Sequence, residues 1–403
     1  MPDSPPSLGR DVATDTETVA DSLSKECRGR KACIATVVVL LSFLISFQGL
    51  EGFYRVYKLA KYGMVDYPDP LSVGYFEQDP HYGMVAKKNF SSDGINPKLK
   101  KGRANNVVGF DKKVSFNQYG YRGRDFLVQK PPNIVRIVVL GGSTTIGLET
   151  DDDDTWPATL ERKLSADTGF LEKYGREKAE VINAAMTRFR SREALLRLQS
   201  EVWQFHPDII LAAINWNDST HGTVGIDPES VEVHEQPWWY QFALFQNLAI
   251  RYSLWQRNKR DYWGPRFLKL NRNEQWAKVY ERNIVVMNEI SRQIGARLIL
   301  VNLPGLCRER AIVPGEYEEI IRRDMHISAD SFPFWIAVKS FESAFLRDLG
   351  CHHDIPVIDV HRSFEMFSGR QRVDLFTDEM HHSAQGTEQI AEAIRIALVQ
   401  GVR

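Results

Sequence analysis

Three short polar blocks of the sequence hold side chains that could carry out nucleophilic catalysis. The blocks are GGSTT at 141–145, NWND at 215–218 and DEMH at 378–381. A serine hydroxyl becomes an effective nucleophile only beside a general base, and that base needs a partner that orients it. We therefore predict Ser143 as the nucleophile, His381 as its base and Asp378 as the residue that orients the base.

The oxyanion that forms when a carbonyl group is attacked needs hydrogen-bond donors that are already in position. The sequence offers three such donors, which are the backbone N–H of Ser143, the backbone N–H of Ala185 and the side-chain amide of Asn217. His382 is an alternative base because it is adjacent to His381, but the D-x-x-H spacing favours His381.

The elements that must position these blocks are alternating strands and helices. Apolar runs predict strands at 134–140, 180–183, 208–214, 297–302 and 356–359. Helical patterns follow at 191–205, 276–294, 336–349 and 383–399, and a further helix opens at Thr155. This alternation implies βαβ crossovers and a mainly parallel sheet with helices on both faces. Such sheets bind ligands beyond the carboxyl ends of their strands, where the polar blocks are expected.

The same residues resemble the four conserved blocks of the SGNH, or GDSL-type, hydrolases. The matching pieces are Gly-Gly-Ser143, Asn-Ala-Ala185, Asn217-Asp218 and the D-x-x-H-x-S-x-x-G pattern that ends at Gly386. Segments 79–83 and 116–123 are similar to lead-in segments of membrane-attached members. The resemblance implies a flavodoxin-like three-layer α/β/α fold with a mainly parallel five-stranded sheet. It also implies ester hydrolysis by a Ser-His-Asp triad without a metal or a cofactor.

By position, the resemblance assigns Ser143 as nucleophile, His381 as general base, Asp378 as its orienting partner, and Ala185 and Asn217 as oxyanion donors. Two residues depart from the family pattern. Ala185 stands where the family usually has glycine, so its role requires that alanine tolerate the local φ. Asn215 stands where a glycine usually begins the third block, which is expected to narrow the pocket without removing Asn217.

Two other functions remain open from the sequence. An O-acyltransferase of cell-envelope polysaccharide would use the same triad, with a sugar hydroxyl in place of water as the acceptor. A non-catalytic, membrane-tethered glycan-binding protein on a degenerate hydrolase fold is favoured mildly by Ala185 and Asn215. The motifs do not specify the acyl group or the alcohol of the substrate. Phosphate binding is disfavoured because the GGSTT loop lacks the lysine of a P-loop.

A segment near the N-terminus has the composition of a membrane span. Residues 32–50 contain no charged side chain and would rise about 28 Å as a helix, close to the thickness of a bilayer core. Lys25, Arg28, Arg30 and Lys31 precede the span and predict a cytoplasmic N-terminus with the large domain outside. A cleaved signal peptide is the alternative, but no small-residue cleavage site follows.

The chain of 403 residues therefore divides into four expected regions. They are a disordered cytoplasmic tail at 1–31, a transmembrane helix at 32–50, an irregular or β-containing lead-in at 51–130 and the hydrolase-like domain at 131–403. The 51 basic and 52 acidic side chains give a net charge of −1, which disfavours nucleic acid as a partner. The expected partners are an ester substrate and the membrane, and the oligomeric state is not indicated.

Four further features lie outside the polar blocks. The CHHD run at 351–354 precedes the fifth strand, opposite the polar blocks, and is interpreted as a loop rather than a metal site. The acidic run 151–154 is interpreted as solvated charge at the start of the next helix. Cys307 follows the fourth strand at the carboxyl edge of the sheet, whereas Cys351 precedes the fifth strand at the opposite edge. They are predicted not to form a disulfide because a strand about 20 Å long separates the two edges. The insertion 219–272, rich in aromatic residues, is either a lid or a satellite core.

Overall fold

The computed structural model describes residues 11–62, 75–94, 112–231, 242, 244–245, 248, 264–308 and 331–402. The chain divides into two compact units. The first comprises Met1–Tyr67 with Trp238–Ala249, and the second comprises Pro68–Pro237 with Ile250–Arg403.

The first unit is built on one long helix, α1 (Asp11–Tyr62). Its segment Arg30–Tyr57 is long and apolar enough to cross a membrane, with a mean hydropathy of 2.2 and none of its apolar window buried. A signal sequence near an N-terminus meets the same criteria of length and composition. Within this unit, the ring of Phe47 lies 5.2 Å from Phe242 and 5.5 Å from Phe245.

The structure differs from the expected boundaries of the N-terminal regions. The tail was expected to be disordered to residue 31, but its backbone is helical from Asp11 onward. The helix also continues past the apolar run into the region expected to be irregular, and it ends at Tyr62. No proline interrupts 11–62, so the backbone keeps its hydrogen bonds through the change from polar to apolar composition.

The second unit contains the remaining strands and helices. The strands are β1 (Phe76–Asp79), β2 (Gly83–Ala86), β3 (Phe90–Ser91), β4 (Ser115–Phe116), β5 (Ile134–Gly141), β6 (Lys178–Asn183), β7 (Ile209–Ala213), β8 (Arg297–Asn302) and β9 (Val357–Asp359). The helices are α2 (Ser143–Ile146), α3 (Trp156–Ser165), α4 (Thr168–Tyr174), α5 (Ser191–Ser200), α6 (Trp216–Thr223), α7 (Gly264–Phe267), α8 (Gln275–Gln293), α9 (Phe332–His353), α10 (Val360–Ser363), α11 (Gly369–Asp374) and α12 (Ala384–Gln400).

The central sheet has five strands in the order β6-β5-β7-β8-β9, and every neighbouring pair is parallel. In chain order this is 2-1-3-4-5, the doubly wound order of flavodoxin-like folds. The predicted fold class and all five predicted strands are therefore confirmed. The strand order reverses at β5, so the connections leaving β5 and β7 depart to opposite sides and open a crevice at the carboxyl edge.

Helices cover both faces of the sheet because the side chains of β5 alternate between them. Val135, Ile137 and Val139 pack with α3 and α12 in one core. Val138 and Leu140 pack with α5, α8 and α9 in the other core. These side chains are fully buried, as expected for a parallel strand that is covered on both faces.

The helix boundaries follow local signals closely. Thr155 accepts a hydrogen bond from the Ala158 N–H and Ser383 accepts one from the Gly386 N–H, so both residues cap their helices. The predicted helix 191–205 ends at Ser200 and continues only as a 3₁₀ turn, Val202–Phe205. The CHHD run differs from the expected loop, because α9 extends to His353 and only Asp354 leaves the helix.

The lead-in forms short β-structure that packs beneath the polar loops. Strand β1 pairs with β2, and β3 pairs with β4, both antiparallel. This region shares an apolar core with the segments that follow β5 and β6. The lead-in contributes Phe76, Met84, Val114 and Phe116, the segment after β5 contributes Ile146 and Leu148, and the segment after β6 contributes Ala185, Met186 and Phe189. The lead-in therefore supports the loops that hold the predicted site.

Candidate active site

The three residues predicted as a triad lie in one hydrogen-bonded chain. His381 Nε2 is 2.9 Å from Ser143 Oγ, and His381 Nδ1 is 2.6 Å from Asp378 Oδ2. The serine begins α2 just after β5, whereas the other two residues come from the turn before α12. The distances suit proton transfer from the hydroxyl to the imidazole, with the carboxylate orienting the ring.

The Gly-Gly pair before Ser143 allows a tight passage from strand to helix. A Cβ on Gly141 would lie 2.3 Å from Thr145 Oγ1, so the first turn of α2 folds directly over this glycine. A Cβ on Gly142 would lie 2.9 Å from Asn217 Nδ2. The absence of both side chains therefore lets the Asn217 amide approach the backbone next to Ser143.

The turn that carries the base is organised by Asp378. Its Oδ1 accepts hydrogen bonds from the backbone N–H groups of Met380 and His381, at 2.9 and 2.7 Å. The Thr377 N–H donates to the His381 carbonyl at 2.9 Å and closes the turn. One carboxylate thus shapes the turn with one oxygen and holds the imidazole with the other.

Electrostatics in this turn favour an imidazolium–carboxylate pair. Burial alone would lower the pKa of His381, but the nearby carboxylates of Glu149 and Asp378 outweigh it and raise that pKa to about 10. Burial alone would raise the pKa of Asp378, but the charge of His381 and three hydrogen bonds lower it instead. The positive form of the base, which is produced when Ser143 gives up its proton, is therefore well stabilised. The neutral form that accepts this proton becomes populated as the pH rises towards the raised pKa.

The predicted oxyanion donors are arranged unequally. Ser143 supplies the first N–H of α2, where amides have no partner within the helix. Asn217 Nδ2 donates one hydrogen to the Phe189 carbonyl at 2.9 Å, which leaves its second hydrogen for a ligand. The Ala185 N–H instead contacts Asn183 Oδ1 at 3.3 Å. The N–H of Ser143 and the second amide hydrogen of Asn217, next to Gly142, are therefore the better candidates among the three predicted donors.

The two departures from the family pattern are accommodated without strain. Ala185 is not among the described residues with positive φ, so alanine fits its backbone conformation; in the same loop Arg188 has a φ of 67°. Asn215 has an extended φ of −173° and caps α6 through its Oδ1, which accepts from the Trp216 N–H. Each substitution is therefore compatible with the local backbone.

The first turn of α6, which carries Asn217, is held in place by a buried carboxyl group. Asp218 accepts hydrogen bonds from the Ser191 N–H at 2.9 Å and from its hydroxyl at 2.6 Å. Asn283 Nδ2 donates to the same hydroxyl at 3.1 Å. Burial raises the pKa of Asp218 to about 7. Asp218 therefore links α6 to α5 and holds the Asn217 turn, without facing the triad itself.

His382 points away from Ser143 and has a structural environment. Its Nε2 lies 3.0 Å from the Pro304 carbonyl, and its ring packs on Phe376 at 5.1 Å. The side chain is 3% exposed, and burial lowers its pKa to about 3. A neutral, buried imidazole without a hydroxyl beside it is suited to packing rather than to proton transfer from Ser143.

Two residues near the triad were missed by the sequence analysis. Glu149 Oε1 lies 3.9 Å from His381 Nε2, and Arg122 binds the backbone of the loop that carries Glu149. Glu149 belongs to no motif, so its position could not be inferred from spacing. Arg122 was noted only as part of the lead-in segment, and its acceptors are mainly carbonyl groups, which have no sequence signal.

The acidic run is more structured than expected. Asp152 accepts hydrogen bonds from Arg122 Nε and from Ser115 Oγ, both at 2.6 Å, and Asp151 accepts one from the Lys113 N–H at 2.6 Å. Asp153 and Asp154 are exposed, as a solvated run would be. The interpretation as free solvated charge is therefore wrong for the first two residues, which tie the lead-in to the loop after Ser143.

The remaining sequence candidates have separate outcomes. Cys307 is buried and Cys351 is exposed, and both are free thiols. Within the described part of the chain, no group of His, Cys, Asp and Glu side chains has the arrangement of a metal site. The tryptophan and tyrosine residues of the insertion 219–272 on which its interpretation as a lid or satellite core rested lie outside the described residues, namely Trp238, Trp239, Tyr240, Trp255, Tyr262 and Trp263.

Comparisons with known proteins find similarity in structure only. No protein-family model and no curated protein matches the chain. A lipase/acylhydrolase from Enterococcus faecalis is 18% identical, with a TM-score of 0.37, and the match covers 66% of this chain and 97% of that one. A GDSL-like lipase from Bacteroides thetaiotaomicron is 15% identical, with a TM-score of 0.34 and coverage of 66% and 88%. An acetyl xylan esterase is 13% identical, with a TM-score of 0.38 and coverage of 65% and 99%.

The environment of His382 generates a prediction for stability. Its folded pKa of about 3 lies below the ordinary value of 6.5, so the unfolded chain binds a proton more readily. The neutral side chain therefore contributes stability that is fully present above pH 6.5 and is lost as the pH falls towards 3. We expect that the free energy of unfolding of His382→Gln falls less steeply between pH 7 and pH 4 than that of the wild type.

Urea unfolding of the detergent-solubilised chain at several pH values measures this difference. His352→Gln is the control because His352 is exposed near the end of α9. A gap between wild type and His382→Gln that is the same at every pH would contradict the prediction.

Proposed function

We propose that the protein is an SGNH-type serine esterase that forms an acyl-enzyme on Ser143. The observation that carries this proposal is the hydrogen-bonded chain Ser143–His381–Asp378, with distances of 2.9 and 2.6 Å. The first-turn N–H of Ser143, the Asn217 amide next to Gly142 and the flavodoxin-like strand order support it further. A glycan-binding protein would not require this alignment of nucleophile, base and carboxylate.

The proposed reaction has two stages. Ser143 Oγ attacks the ester carbonyl carbon while His381 Nε2 takes its proton, and the carbonyl electron pair moves onto the oxyanion, which the amides stabilise. The ester C–O bond then breaks as the imidazolium protonates the leaving alcohol. Water attacks the acyl-enzyme in the same manner and releases the acid and free Ser143. A sugar hydroxyl in place of water would give acyl transfer through the same groups.

The nucleophile is tested with a fluorophosphonate probe and an aryl acetate substrate. Ser143→Ala is expected to lose labelling entirely, because the probe forms its bond with the serine oxygen. His381→Ala should reduce ester turnover by at least about 10³-fold, since the hydroxyl then lacks its base. Ser363→Ala, at an exposed serine, is the matched control and should behave as the wild type. Equal labelling of wild type and Ser143→Ala would refute the assignment.

The close approach of Gly142 to Asn217 generates a second prediction. Gly142→Ala places a Cβ 2.9 Å from Asn217 Nδ2 and should displace that amide. Loss of one oxyanion donor typically costs about 10²-fold in kcat. We expect a decrease of this size in steady-state hydrolysis, with little change in KM.

Gly169→Ala is the matched control, because its added Cβ would meet only Asp167 Oδ1, at 3.6 Å. If Gly142→Ala keeps wild-type kcat while remaining folded by circular dichroism, Asn217 does not serve as an oxyanion donor.

We also propose that α1 anchors the protein in a membrane with the catalytic unit on the outer side. Two observations support this location: the exposed apolar segment Arg30–Tyr57, and the basic residues before it. The substrate would then be an ester at or beyond that membrane, such as an acylated envelope glycan or lipid.

Protease accessibility tests the orientation. A protease added to intact cells should degrade the large domain, and lysis should be unnecessary for this. The control is a cytoplasmic protein of the same cells, which must stay intact until lysis. A large domain that is protected until the membrane is broken would rule out this orientation.

A further inference from the structure

His381 lies between two carboxylate side chains rather than beside one. Asp378 contacts its Nδ1 at 2.6 Å, and Glu149 Oε1 lies 3.9 Å from its Nε2. The same Nε2 contacts Ser143 Oγ at 2.9 Å. Glu149 therefore faces the nitrogen that takes the proton from the nucleophile, on the side opposite to Asp378.

Glu149 is held there by a loop with little freedom. It lies between Gly147 and Thr150, whose carbonyl oxygens accept hydrogen bonds from Arg122 at 3.1 and 2.9 Å. The Arg122 side chain is 1% exposed and is paired with Asp152 at 2.6 Å. The Glu149 side chain is 13% exposed. A charge in such a place has few water molecules to screen it, so its effect on a neighbour 3.9 Å away is large.

The charged groups around His381 come from three elements. Asp378 and Glu379 belong to its own turn, and Glu149 belongs to the loop after α2. Arg122 of the lead-in faces Glu149, and the neighbouring His382 is neutral. The pKa of Glu149 is raised, mainly by burial; the positive charge of His381 opposes this rise, Asp378 adds to it, and Arg122 also opposes it.

We propose that Glu149 is a positioning residue that stabilises the imidazolium form of His381 from the Nε2 side. This inference rests on the proposed function and deepens it. During attack the Ser143 proton moves to Nε2, and the new N–H then points between the leaving alcohol and Glu149. The carboxylate forms no bond to the substrate. It stabilises the positive charge until Nε2 returns the proton to the leaving oxygen.

This role has a consequence for pH dependence that a structural role lacks. A negative charge at Glu149 favours the protonated base, so the acid limb of the pH profile of kcat/KM lies at higher pH than it would without the charge. An opposite charge within 4–6 Å typically shifts a pKa by about 1 to 3 units. Removing the charge should therefore move the acid limb to lower pH by about one unit or more.

The experiment compares four full-length chains in detergent micelles: wild type, Glu149→Gln, Glu149→Asp and Asp154→Asn. The first readout is the pH profile of kcat/KM for an aryl acetate. The second is an NMR titration of histidine-labelled protein, in which the His381 signal is identified by its absence in His381→Gln. Asp154→Asn is the matched control because it removes an exposed carboxylate from the same stretch of chain.

In Glu149→Gln we expect a lower pKa of His381, and we expect the acid limb of the kcat/KM profile to lie at lower pH than in the wild type. Glu149→Asp, which keeps the charge, should lie between wild type and Glu149→Gln, and Asp154→Asn should match wild type. Profiles and titrations of Glu149→Gln that coincide with those of wild type would overturn the inference. Equal shifts in Glu149→Gln and Glu149→Asp would also overturn it, because they would indicate a steric role.

Failure of the proposed function is distinguishable from failure of this inference. If no chain hydrolyses the ester or reacts with a fluorophosphonate, the proposed function fails while the titration still gives an answer. A His381 pKa that is lower in Glu149→Gln supports the Glu149–His381 interaction, and an unchanged pKa overturns it.

Discussion

One buried guanidinium group holds together the loops on which the candidate site depends. Arginine has five N–H donors, and Arg122 pairs all of them. Its Nε pairs with Asp152, one terminal nitrogen with two carbonyl groups at the C-terminal end of α2, and the other with the carbonyls of Lys113 and Thr150. A buried charge is tolerated only when its donors are satisfied in this way. These acceptors lie in three separate segments, which are the lead-in, the loop after Ser143 and the acidic run. The hydrogen bonds of Arg122 therefore fix the positions of these segments relative to one another.

The sheet provides the other half of the arrangement. Ser143 follows β5 and Asn217 follows β7, and the strand order reverses between these neighbours. Connections that depart to opposite faces leave a crevice at the carboxyl edge, so the segments that carry Ser143 and Asn217 come together there. The base arrives from the turn before α12, which packs on the same face as α3.

The sequence predicts those parts of the molecule that depend on local patterns. The five buried strands, the helix caps at Thr155 and Ser383 and the D-x-x-H turn each have a signal within a few residues. The placement of the polar blocks at one edge of the sheet follows from the alternation of strands and helices. Glu149 and the acceptors of Arg122 could not be predicted, because backbone carbonyls carry no sequence signal and a single carboxylate in a loop is commonly solvated. The contact of the Ala185 amide with Asn183 is likewise a matter of loop geometry, which motif spacing does not specify.

The placement of two carboxylates around one histidine has opposite effects on the two charges of the proposed transition state. At an effective dielectric constant near 20, unit charges 4 Å apart interact by about 4 kcal/mol. Glu149 therefore favours the imidazolium of His381 strongly and disfavours a nearby oxyanion. In the proposed reaction the amides of Ser143 and Asn217 stabilise only the oxyanion, so different groups stabilise the two charges. In the proposed reaction the oxyanion lies on the amide side, so Glu149 attracts the nearer imidazolium more strongly than it repels the more distant oxyanion. A carboxylate on the Nε2 side therefore lowers the barrier to attack from the state in which His381 is neutral.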